Sequence, residues 1–104
     1  MKNTLDFISI LSTLLQAEQA GKTDVVEKLD FILTNNEIEK PEKHNRKDDL
    51  TTSYFRIEVS KNELNDILDI ISNSISNSFD ENNEPTSSTY MFEDLIDKWN
   101  KIEL

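Results

Sequence analysis

The chain contains no cysteine, which excludes disulfides, thiolate catalysis and cysteine-ligated zinc or iron–sulfur centres, and with them the stapled scaffold of a small secreted domain. A single glycine in 104 residues leaves no phosphate-cradling loop of either glycine-rich kind. The single histidine, His44, stands among Lys43, Asn45 and Arg46 in a polar stretch. It can complete neither a histidine metal cluster nor a Ser-His-Asp arrangement, and it reads as a solvated loop residue. No apolar run approaches the roughly 20 residues that span a bilayer. The run Phe7 to Leu15, followed by Ala17 and Ala20, has the outline of a signal peptide, but only Lys2 precedes it and Asp6 abuts it. A cytoplasmic, non-membrane protein is the expectation.

Cations are also scarce, at 11 Lys and Arg against 21 Asp and Glu, a net charge of −10. The imbalance is unevenly placed: residues 1–47 hold 7 cations and 8 carboxylates, whereas residues 48–104 hold 4 and 13. Between Asn62 and Asp97 there are nine carboxylates and no Lys, Arg or His. Such a field repels nucleic acid and anionic membranes and steers basic proteins inward, so no direct nucleic-acid binding is expected.

What the chain does have is helical periodicity. Ser60 and Glu63 have capping-box spacing, in which each side chain satisfies the other's orphan backbone N–H. In the run that follows, Leu64, Ile67, Leu68, Ile71 and Ile75 share one arc, and Glu63, Asp66, Asp69 and Asn73 the opposite one. A first helix is expected over residues 4–20, with Asn3 or Thr4 as N-cap and Phe7, Ile8, Leu11, Leu14 and Leu15 inward, leaving Ile10 off the stripe. Gly21 suits the left-handed residue after its end. Asp24 and Glu27 have capping-box spacing for a second helix to about Thr34, with Val25, Val26, Leu29, Ile32 and Leu33 inward and Phe31 on the far side. A final helix spans about Ser88 to Glu103, with Met91, Phe92, Leu95, Trp99 and Ile102 inward and Tyr90, Glu93, Asp94 and Asp97 outward.

Between the second and third helices the period changes. Tyr54, Arg56 and Glu58 alternate with Phe55, Ile57 and Val59, a half-buried strand whose partner would be Glu37 to Lys40 or a strand of another copy. The fold expected is therefore mainly α: one acidic helical domain over residues 1–104, four helices with a short strand or hairpin before the third.

Asp80, Asn82 and Glu84 alternate as in the first half of a calcium loop, but Pro85 stands where the turn needs glycine and Met91 where a bidentate glutamate belongs. No metal or other cofactor is expected. Acid/base catalysis needs a carboxylate desolvated enough to raise its pKa, and the carboxylates here lie opposite the apolar stripes, so no enzyme is expected.

The remaining expectation is binding. Glu63, Asp66 and Asp69 at three-residue spacing stand about 5–6 Å apart, near the interval of phosphates along a nucleic-acid strand. Ile70 is expected at the edge of this ladder as an exposed apolar anchor. The candidate protein-binding site is Glu63, Asp66, Asp69, Ile70 and Asn73, with Tyr90, Glu93, Asp94 and Asp97 on the last helix. The partner expected is a basic protein, neutralised stoichiometrically as a nucleic-acid mimic or an immunity protein would do. The alternative is a homo-oligomeric structural or adaptor module, a dimer held through Phe31, whose acidic surface serves solubility only.

Overall fold

The computed structural model of the chain describes residues 3–38 and 53–104. Helix α1 (Phe7–Gln19) and helix α2 (Thr23–Asn35) form an antiparallel hairpin, and α3 (Lys61–Ser76) and α4 (Ser87–Asn100) form a second. Strands β1 (Thr4–Asp6) and β2 (Tyr54–Arg56) pair antiparallel, with Leu5 opposite Phe55. The fold is mainly α with a short two-stranded sheet, as the periodicities predict. Helices and sheet share one core, in which Trp99, Phe55, Ile10, Leu29, Ile32, Ile67 and Ile71 are the large, fully buried side chains.

Local chemistry sets the helix ends. At α3 the capping box forms as expected: Ser60 N–H donates to Glu63 Oε1 at 2.7 Å and Glu63 N–H to Ser60 Oγ at 3.1 Å. Gly21 has φ 71°, Lys22 N–H donates to the Ala17 carbonyl at 3.0 Å and Gly21 N–H to the Glu18 carbonyl at 3.1 Å. These two bonds make a Schellman motif that turns α1 into α2. The capping box expected at Asp24 and Glu27 does not form, because α2 starts two residues earlier, with Lys22 as its N-cap and no side-chain cap. In α4 the cap is Thr86, paired reciprocally with Thr89. Thr86 Oγ1 also donates to the Ser78 carbonyl at 2.8 Å, and Ser78 Oγ lies 2.6 Å from Thr89 Oγ1. Hydroxyls therefore stitch the end of α3 to the start of α4.

The strand finds its partner at the opposite end of the chain. Residues Thr4–Asp6, expected to open the first helix, form β1 instead, and Asp6 is the N-cap of α1. On its other edge β2 receives Ile38 N–H at the Tyr54 carbonyl (2.8 Å) and gives Arg56 N–H to the Asn36 carbonyl (3.0 Å), with Glu37 bridged to Phe55. Both edges of β2 are thus occupied within the chain, by the expected Glu37 segment and by an N-terminal one the periodicity hid. His44 and Lys40 lie outside the described residues.

The first helix is also rotated from its expected orientation. Ile10, Thr13, Leu14 and Ala17 face the core, while Ile8 is 49 % and Leu15 48 % exposed. The reason is polar: Trp99 Nε1 donates to Thr13 Oγ1 at 2.9 Å, and Thr13 Oγ1 to the Ser9 carbonyl at 2.8 Å. A buried indole N–H needs an acceptor, and the helix turns to supply one. Met91, expected inward, is 49 % exposed; the buried row of α4 is Phe92, Leu95, Trp99 and Ile102.

Candidate functional site

Helix α3 positions the carboxylate ladder by burying its other side against α1, α2 and α4. Asp66, Asp69 and Asn73 are exposed, and none of the three has an ion pair or side-chain hydrogen bond among the described residues. Glu63 is different. Its Oε1 is committed to the Ser60 N–H and lies 3.9 Å from Lys28 Nζ, so the first rung caps the helix and carries a nearby cation.

Ile70 is not an exposed anchor. It is only 4 % exposed, because three neighbouring helices widen the buried arc of α3 beyond a single stripe. Ile70 and Asn73 instead line a cleft of about 560 Å³ at the end of the bundle where α1 and α3 finish and α4 begins. The structure therefore divides the expected site on α3: Asp66 and Asp69 stand in solvent on the ladder, and Ile70 and Asn73 belong to the cleft.

On α4, Tyr90 (61 % exposed), Glu93, Asp94 and Asp97 all face solvent. Their spacing of three, four and seven residues places them along one face. Asp94 Oδ2 lies 3.6 Å from Lys98 Nζ, and Glu93 and Asp97 have no ion pair among the described residues. With Ile70 buried, Tyr90 is the exposed aromatic of the candidate site, and the sequence signal for it is its place on the arc opposite Phe92, Leu95 and Trp99.

Lys98 also reaches α1. Its Nζ lies 3.6 Å from Asp6 Oδ1 and donates to Ser9 Oγ at 3.1 Å, while Ser9 Oγ donates to Asp6 Oδ1 at 2.6 Å. Partial burial pushes the Asp6 carboxyl up, but the Ser9 hydroxyl and backbone N–H together with the Lys98 ammonium outweigh it and hold Asp6 below the ordinary value of 3.8. A serine beside a lysine and an aspartate invites comparison with nucleophilic sites. Here Ser9 is 5 % exposed and its proton is given to a carboxylate, so the trio works as a polar clasp between the N-terminal segment and α4. It lay beyond sequence reasoning because its members are separated by up to 92 positions.

Asp80 has a comparable structural task. Its Oδ1 accepts Asn82 N–H at 2.8 Å and Glu84 N–H at 3.0 Å, which shapes the α3–α4 turn. Among the described residues no group of carboxylates and histidine is clustered for a metal, and no helix is long and apolar enough to cross a membrane. No known family model matches this chain, and neither a curated protein nor a solved structure is significantly similar to it.

Proposed function

We propose that this is a non-enzymatic protein that binds a basic partner through the outward faces of α3 and α4, occupying a surface that would otherwise receive nucleic acid. The observation that carries the reading is a set of carboxylates, Asp66, Asp69, Glu93 and Asp97, exposed and without ion pairs among the described residues. Solubility is served as well by mixed charges, whereas unbalanced carboxylates, with Tyr90 exposed on the same face of α4 as Glu93 and Asp97, supply long-range attraction and a short-range apolar contact. Glu63 and Asp94, each near a lysine, flank the site with less net charge. The partner is a basic protein of the nucleic-acid-binding or toxin kind, inhibited one to one in the cytoplasm.

Affinity capture from the native host, with wild type and Asp66→Lys/Asp69→Lys as parallel baits and mass-spectrometric identification, tests this. A basic protein retained by wild type and lost from the variant is the expected result. Identical captured sets from both baits would return the acidic face to a role in solubility.

A homodimer through Phe31 is the second reading. Phe31 is 55 % exposed, with Lys28 Nζ 6.0 Å from its ring centroid. Neither Ile10, which the stripe would have left on the surface, nor β2 offers a dimer a contact, since Ile10 is fully buried and both edges of β2 are paired.

A further inference from the structure

The cleft at the end of the bundle differs in chemistry from the rest of the surface. Charged residues make up 31 % of the chain, yet none lines this cleft of about 560 Å³, a volume in the range of small-molecule sites. Its polar lining includes the carboxamides of Gln16, Asn73 and Asn77 and the hydroxyl of Ser88, around buried Ile70 and Phe92. Ser74 Oγ shares its one proton between Gln16 Oε1 at 2.8 Å and the Ile70 carbonyl at 3.1 Å, and the two N–H donors of Gln16 have no partner among the described residues. The side chains of Asn73, Asn77 and Ser88 are likewise uncommitted there.

We propose that this cleft binds a small neutral polyhydroxylated ligand of sugar size. Elimination supplies the class. A cation would lose its hydration with no carboxylate in the lining to replace it. An anion would enter the field of a chain of net charge −10 with no cation to meet it, and the start of α4 is already capped by Thr86 and Thr89. A purely apolar ligand would leave the carboxamides unpaired. A nucleobase needs an open aromatic face on which to stack, and Phe92, the only aromatic in the lining, is 8 % exposed. A sugar hydroxyl both donates and accepts, as do the carboxamides and hydroxyl that surround the cleft.

The test is an amide NMR titration of the full chain with glucose, galactose and ribose, each to about 50 mM, well above a Kd of about 1 mM, with uridine as comparison. The proposal expects saturable shifts at Gln16, Asn73, Asn77 and Ser88 with at least one sugar. Those shifts should vanish in Ser88→Trp, which fills the cleft from an exposed position, and in Asn73→Leu/Asn77→Leu. No saturable response to any sugar, a uridine response that exceeds the sugars' because the base is bound, or shifts that persist in Ser88→Trp would each overturn it.

Discussion

Thr13 and Trp99 form a polar link inside a mainly apolar core, and the hydroxyl is both acceptor for the indole and donor to the Ser9 carbonyl. Thr13→Val keeps the shape and strands the indole N–H, so urea unfolding should report a loss of about 1–3 kcal/mol, the cost of a buried group left unpaired. Asp6 adds a pH dependence. Its carboxyl is held below 3.8 by Ser9 and Lys98 against the effect of burial, and a group depressed in the folded state contributes stability that is complete above its unfolded pKa and lost as pH falls through the folded one. The stability gap between wild type and Asp6→Asn should therefore be constant from neutral pH down to about 5 and close below about pH 4, as urea midpoints taken across that range would show. A gap that is the same at pH 3 as at pH 7 would remove Asp6 from the clasp.

At the scale of the element, α3 depends on the Ser60 and Glu63 capping box, and Ser60→Ala should cost about 1 kcal/mol with the shape of the unfolding transition unchanged. This helix was legible in the sequence because its cap and its apolar stripe agree. Helix α1 was legible as a helix but not in its facing, for a physical reason: its apolar stripe centres on Phe7, Leu11 and Leu15, whereas the buried face runs through Ser9, Ile10, Thr13, Leu14 and Ala17, turned toward the small and polar residues Ser9 and Thr13, whose partners lie on α4. Strand β1 was hidden because three residues carry no measurable period and their partner, β2, lies about 50 positions away. The start of α4 fell within a residue of its expected place, but its cap on Thr86 escaped because Thr89 fills a place where Glu or Gln gives the recognisable signature. Within the candidate site, exposure of the α3 and α4 carboxylates followed from their opposition to the stripes. The burial of Ile70 depends on how many helices surround α3, which one helix's pattern does not encode.

The whole molecule concentrates its charge on one half of the sequence, with nine carboxylates and no cation between Asn62 and Asp97. Lys98 lies just past that run and is engaged with Asp6 and Asp94, which leaves Asp66, Asp69, Glu93 and Asp97 on α3 and α4 exposed and without an ion pair among the described residues. Oligomeric state is a separate question. If Phe31 holds a dimer, equilibrium sedimentation of wild type should show association that Phe31→Ala abolishes, and a wild type monomeric at every concentration would end that reading. The central claim, that the acidic face steers a basic partner, is tested most directly by the association rate of a captured partner at a series of salt concentrations. Wild type should associate fast and slow steeply as salt rises, while Asp66→Lys/Asp69→Lys, with an unchanged fold, should associate more slowly with a flatter salt dependence, and Tyr90→Ala should mainly speed dissociation. Equal rates and equal salt slopes for wild type and the charge-reversed variant would contradict the account.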